Sequence, residues 1–348
     1  MSGPLLEVDG LRVGFATEDG RVQAVDGVDF RLEAGEVLAI VGESGSGKSV
    51  TAQTIIGLTR SPNTFVEGSV KLNGEELTTQ TEAQLQDVRG SKIAMIFQDP
   101  MTSFNPVYSI GRQMVEAIRA HDRSIDKKAA HRRAAELLDA VGIPDADRRV
   151  DDYPHEFSGG MRQRAMIAMG LALEPSVLIA DEPTTALDVT IQAQILDLIQ
   201  DLNRSRGLAT ILITHDLGVV AEVADRVLVM YGGKVVERGS LDDIFYDPQH
   251  PYTWGLLGSI TRIDRDRSQR LPAIPGLPPS LLRPPKGCHF RPRCPHAYER
   301  CTQVPDLAAR LAEAPAHLDR CWLEPERKRK IRQVGDQIGL ASEQTVIS

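Results

Sequence analysis

The chain has 348 residues, 41% of them hydrophobic and 25% charged, with a formal net charge of −8. Such a composition suits a globular protein of two domains, or of one large domain with an attachment. The acidic balance argues against general affinity for nucleic acid phosphates, and no apolar run has the length to cross a bilayer. The N-terminus "MSGPLLEVDG" lacks a basic-then-apolar leader pattern, so the expected compartment is the cytosol.

The first segments, "LLEVDGLRVGF" and "VQAVDGVDFRL", alternate apolar and polar residues and predict strands broken by turns. Next comes "EVLAIVG", a nearly continuous apolar run of the kind found in a strand buried on both faces. It leads into "GESGSGKS", Gly42 to Ser49, which fits G-x-x-x-x-G-K-[ST] in the strand–loop–helix context the motif requires. Glycines there let backbone N–H groups close around phosphate oxygens. Lys48 brings positive charge to the β- and γ-phosphates, the following helix adds its N-terminal dipole, and Ser49 offers a hydroxyl to Mg²⁺. An ordinary Gly-Ser turn does not account for every fixed position being filled.

"GSVKLNGEEL" predicts a further strand pair, and from about residue 110 to 145 the period changes. "SIGRQMVEAIRA" and "KKAAHRRAAELLDAVGI" carry apolar residues at helical spacing, with Gly142 and Pro144 as stop signals. "SVLIADEP" returns to a buried strand and sets Asp181 and Glu182 at its carboxyl end. Asp181 is suited to hold Mg²⁺, and Glu182 to polarise a water for attack on the γ-phosphate. A helical pattern, "IQAQILDLIQDLNRSRG", separates this strand from another buried one, "ATILITHD". "RVLVMYGGKVVERG" predicts a hairpin turning at Gly232-Gly233.

Beyond residue 245 the texture shifts to the Pro-rich "LPAIPGLPPSLLRPP", which is expected to be extended. All four cysteines follow, as Cys288, Cys294, Cys301 and Cys321, spaced C-x5-C-x6-C-x19-C. In a cytosolic protein, clustered cysteines point to metal or redox chemistry before disulfides. The spacing lacks the close pairs of zinc ribbons; four thiolates serve zinc or an iron–sulfur cluster. His289 and His296 flank the group and are read as loop residues. The tail from 325 to 348 is polar, begins "ERKRKIR" after Pro325, and is expected to be solvated and mobile.

Between the two phosphate-site motifs lies "FSGGMRQR", residues 157 to 164, and here the chain resembles the ATP-binding subunits of ABC transporters. The resemblance implies a P-loop ABC ATPase of the α/β class, a RecA-like core with an antiparallel β subdomain and a helical subdomain at about residues 100–170. It implies nucleotide contacts along Gly42, Glu43, Ser44, Gly45, Ser46, Gly47, Lys48, Ser49 and Val50. Ser158, Gly159 and Gly160 would act in trans, covering ATP held by the other subunit of a head-to-tail dimer. By the same resemblance, Gln98 reaches Mg²⁺, Asp188 communicates across the dimer, His215 contacts the γ-phosphate and Phe15 stacks on adenine. Mg²⁺ would then be held by Ser49, Gln98 and Asp181, and catalysis would rest on Glu182, His215 and Gln98.

"FQDPMTSFNP", "HPYTWGLL" and the segment leading to "GCHFRPRC" narrow the resemblance to the oligopeptide/dipeptide/nickel uptake group. That group implies an importer of peptides or a similar solute, at the cytoplasmic face of the membrane. The implied partners are a related second ATPase subunit, two membrane-spanning permease subunits and an extracytoplasmic solute-binding protein, with no nucleic acid. It also favours a [4Fe-4S] cluster on Cys288, Cys294, Cys301 and Cys321, with Zn²⁺ as the alternative. The expected organisation is an ATPase domain over 1–245, a Pro-rich and cysteine-bearing appendage over 246–324, and a tail over 325–348. A non-transport ABC-type ATPase and a redox-regulated ATPase switch are the rival readings.

Overall fold

The computed structural model describes residues 3–98, 103–184, 189–259 and 274–333. β1 (Leu6–Thr17) and β2 (Gly20–Leu32) pair antiparallel, and β4 (Thr64–Leu72) and β5 (Glu75–Glu76) complete a sheet of order β2-β1-β4-β5. Along β1 the buried side chains are those of Leu6, Val8, Leu11 and Val13. The period of two slips by one residue between Val8 and Leu11, at a register shift beside Gly10.

β3 (Val37–Val41), β6 (Ile93–Ile96), β7 (Val177–Asp181), β8 (Ala209–Thr214) and β9 (Arg226–Tyr231) form the parallel centre of the second sheet. β3, β7 and β8 are buried along their whole length, as their unbroken apolar runs predict. β10 (Lys234–Ser240) turns back antiparallel on β9 through Gly232 and Gly233, both at positive φ.

α1 (Lys48–Ile55) follows β3, and α2 (Glu82–Val88) precedes β6. One core fills the space between the two sheets, joining Leu6, Val25, Ile40, Ile55 and Ile213. The other face of the second sheet is covered by helices. α3 (Ile110–His121) is capped by Ser109, whose Oγ accepts from the Arg112 amide, and buries Ile110, Met114 and Ile118 at four-residue spacing. α4 (Lys127–Ala140) buries Ala130, Ala134 and Leu138, and its chain turns at Gly142 with φ 75. α5 (Ala146–Arg149), α6 (Gly159–Leu171), α7 (Val189–Arg206) and α8 (Leu217–Val223) follow before β9. Among the described residues no helix is long and apolar enough to cross a membrane.

The C-terminal region differs from the expected appendage. After α9 (Leu241–Tyr246) and α10 (Pro251–Gly258), the chain returns as β11 (Ala308–Ala309) and β12 (Leu318–Asp319). β12 pairs antiparallel with β10, Glu237 opposite Asp319 and Arg238 opposite Leu318, so the central sheet runs on as β11-β12-β10-β9. The physical reason is the free edge of β10, whose unpaired backbone groups need a partner. Phe290 packs edge-on against Tyr231 and Tyr252, which also touch each other, with ring centroids 5.2 Å and 5.4 Å away.

The tail also departs from expectation over its first residues. Residues 325–333 form a helix, α11, in which Lys328 is fully buried and pairs with Asp319 at 2.7 Å. Arg329 meets Glu313, and Arg332 meets Asp247. Lys328, Arg329 and Arg332 of the basic run thus find carboxylates on this same chain, while Arg327, Arg329 and Lys330 stay exposed to solvent.

Candidate functional site

The phosphate loop joins β3 to α1 and is pressed against neighbouring backbone. A Cβ on Gly42 would stand 2.2 Å from the carbonyl oxygen of Met230, and one on Gly47 2.5 Å from that of Ala24. Both residues also have positive φ, 152° and 103°, so glycine is required twice over. Ser44 and Gly45 form the exposed tip, and Ser46 is buried. Lys48 is buried at the start of α1, with Nζ donating to the carbonyl oxygens of Gly42 (2.8 Å) and Glu43 (3.1 Å). Burial pulls its ammonium pKa down, opposed by the charges of Glu182, Asp181 and Glu43.

Asp181 ends β7, and Ser49 Oγ donates to its Oδ1 at 3.1 Å. Burial raises the Asp181 carboxyl above its ordinary range, the Ser49 bond and Lys48 counter this, and Glu182 adds to the rise. A hydroxyl and a carboxylate side by side are hard oxygen donors of the kind Mg²⁺ takes.

Glu182 has φ 49, in the left-handed region, and its amide donates to the Ile213 carbonyl oxygen at 2.8 Å. Its carboxylate receives a bond from Gln98 Nε2 at 2.9 Å on Oε2 and lies 3.3 Å from His215 Nδ1 on Oε1. Gln98 follows β6 and His215 follows β8, the two neighbours of β7 in the sheet. Three adjacent parallel strands thus deliver Gln98, Glu182 and His215 to one point, at the carboxyl ends where open α/β sheets place ligands.

Other sequence-predicted residues lie elsewhere. Ser158 caps α6, its Oγ accepting from the Met161 amide at 3.3 Å, and Ser158 and Gly159 are exposed. Gly160 faces Ile191 of α7, where an added Cβ would come within 3.2 Å of a methyl. None of the hydrogen bonds that tie the phosphate loop comes from these three residues. Phe15 and Val50 are half-buried and pack on the core between the sheets. Asp188 lies outside the described residues.

The sequence reading missed two residues at the loop. Arg293 grips Glu43 through Nη1–Oε2 at 2.5 Å and Nη2–Oε1 at 3.0 Å, and the Tyr252 hydroxyl accepts from the Glu43 amide at 2.8 Å. The usable signal was Glu43 itself, since a carboxylate beside a phosphate site needs a counter-charge.

The four cysteines line one pocket together with Phe290 and Trp322, and none is in a disulfide. Burial pushes Cys294 up to about 11 and Cys321 up to about 12, and raises Cys288 as well. Protonated thiols pack as small apolar groups. Among the described residues no set of three or more His, Cys, Asp or Glu stands in a metal-holding arrangement. His289 Nδ1 lies 2.7 Å from the Gly232 carbonyl oxygen, and His296 sits against Trp254.

Residues 25–185 match the ABC transporter family, and residues 236–301 match the oligopeptide/dipeptide transporter C-terminal region. The chain is 56% identical over 294 residues to the oligopeptide transport ATP-binding protein OppD of Bacillus subtilis, covering 84% of this chain and 82% of that protein. It is 50% identical over 333 residues to the dipeptide transport ATP-binding protein DppD of the same organism, covering 95% of this chain and 98% of that one. Among solved structures, a dimeric ATP-binding cassette in a post-hydrolysis state, bound to ADP and Pi, overlays with a TM-score of 0.62. It is 26% identical and covers 68% of this chain and 98% of that chain.

Proposed function

Because the chain belongs to the ATP-binding proteins of oligopeptide and dipeptide ABC transporters, we propose a role for each residue of the site in ATP-driven peptide import. The observation that carries the reading is the convergence of Gln98 and His215 on Glu182, beside Lys48, Ser49 and Asp181.

ATP binds with its phosphates in the loop Gly42–Ser49, backbone amides and Lys48 neutralising the β- and γ-oxygens. Ser49, Asp181 and Gln98 are the residues that would hold Mg²⁺, which supplies charge stabilisation at the transferred phosphoryl group. Glu182 orients a water and takes its proton as the water oxygen bonds to the γ-phosphorus and the bond to the β-phosphate oxygen breaks, leaving ADP and phosphate. His215 and Gln98 hold the Glu182 carboxylate from both oxygens. Phe15 is assigned to adenine, and Asp188 to signalling across the dimer.

The exposed α6 start, Ser158 to Gly160, acts on ATP held by a second subunit. The dimeric state of the ADP-bound cassette supports this arrangement. The second subunit is a related ATPase, and the pair works against two permease subunits and an extracytoplasmic binding protein at the cytoplasmic face of the membrane.

A [4Fe-4S] cluster, with Zn²⁺ as the alternative, would take its ligands from Cys288, Cys294, Cys301 and Cys321, which would have to close up and deprotonate from their present packing. The support is that four thiols, the number such a centre takes, line one pocket. When bound there it would supply a structural staple for the C-terminal region.

Reconstitution with permease partners in liposomes tests the function. Uptake of a labelled peptide should require ATP and the binding protein; ATP hydrolysis that ignores peptide and binding protein alike would reject the importer reading.

A further inference from the structure

A loop that receives a triphosphate is an unfavourable place for a carboxylate, yet Glu43 stands second in it. Its charge reaches Lys48, where it is one of three carboxylates that favour the ammonium form. The structure brings a cation to it from 250 residues away in sequence. Arg293 lies in the cysteine-bearing loop, one residue before Cys294, and its side chain is 6% exposed. All five of its N–H donors are engaged. Nε donates to the Pro275 carbonyl oxygen, Nη1 to Glu43 and the Tyr231 hydroxyl, and Nη2 to Glu43 and the Ile274 carbonyl oxygen. The guanidinium therefore has one orientation, and the fork it presents matches a carboxylate.

The rest of Glu43 is held as well. Its amide donates to the hydroxyl of the fully buried Tyr252, and its carbonyl oxygen accepts from Lys48 Nζ and from the Ser46 amide.

We propose that Arg293 is a positioning residue of the phosphate loop: it neutralises Glu43 and, with Tyr252, fixes the loop backbone, making the C-terminal region a working part of the nucleotide site. This rests on the reading of that loop as the ATP site. Without Arg293, the Glu43 carboxylate is left uncompensated next to the incoming phosphates, and binding weakens through repulsion. A role confined to folding would lower stability and leave nucleotide affinity where it was.

The test is titration of the full-length chain with MgATP, in the unaltered form and in R293Q, E43Q and the double variant. R293Q should weaken binding at least about tenfold. E43Q added to R293Q should bring it back to within about threefold of the unaltered chain, because the repelling charge is gone. Parent-like affinity in R293Q, or a double variant as weak as R293Q, overturns the proposal. Should R293Q not fold, Y252F removes only the hydroxyl that accepts from the Glu43 amide. Several-fold weaker binding is then expected, and parent-like binding overturns the proposal. An unaltered chain that binds no MgATP refutes the ATP-site reading itself, before any variant is compared.

Discussion

His317 Nε2 lies 2.8 Å from Oε1 of Glu237, and both side chains are entirely withdrawn from solvent. Glu237 belongs to β10, and it also accepts from the amides of Gln249 and His250 and from the Thr253 hydroxyl. One carboxylate thus ties β10 to the start of α10 and to the segment before β12. Burial pulls the His317 imidazole down, but the Glu237 bond and the charges of Glu237, Asp243 and Asp319 outweigh it and hold its pKa above the ordinary value.

A folded-state pKa above the unfolded one gives a stabilising contribution that is complete below the unfolded value of about 6.5. It is lost as pH rises through the folded value. Denaturant midpoints should therefore fall from about neutral pH upward in the unaltered chain, and less steeply in H317Q. An equally steep decline in both would show that the pair does not govern this pH range.

Glu182→Gln keeps the shape of the side chain and its place between Gln98 and His215 but removes the base. Phosphate release at the site built on this chain's loop should drop by about 100-fold or more. MgATP binding should persist in equilibrium titration. Full turnover at that site would take Glu182 out of its assigned role.

Protein purified without oxygen should contain iron and acid-labile sulfide in the roughly four-to-four ratio of a [4Fe-4S] cluster. Cys294→Ser or Cys321→Ser should deplete both. About one zinc without sulfide would replace the cluster by a thiolate-bound zinc. Neither metal in the freshly isolated chain would leave the pocket as four packed thiols.

Phe290 is 2% exposed and meets Tyr231, His250 and Tyr252 edge-on or tilted. Phe290→Ala should cost about 3–5 kcal/mol of stability by chemical denaturation, the range for a large aromatic deleted from a core. A loss under about 1 kcal/mol would mean that the C-terminal region is not packed on the sheet as this contact requires.

The central strands and the phosphate loop were readable because their signals are local. A buried parallel strand needs an unbroken apolar run such as "EVLAIVG", and a phosphate loop needs glycines at fixed spacing before a helix. The helices α3 and α4 announced themselves through apolar residues at helical spacing and through the stop signals Gly142 and Pro144. Asp181 and Glu182 were legible as a carboxylate pair ending an apolar strand, and the string "FSGGMRQR" pointed to the family.

What the sequence determined by itself, then, were elements and residue types whose causes act over a few positions. The tertiary structure alone decided which strand ends stand side by side, and so that Gln98 and His215 share the Glu182 carboxylate. It alone joined β12 to the free edge of β10 and buried Lys328 against Asp319, where the tail read as solvated. The same holds for Arg293 and Glu43, whose attraction depends on distance in space and on exclusion of water. A basic residue among cysteines and an acidic one among glycines bear no mark of each other until the fold closes the gap between them.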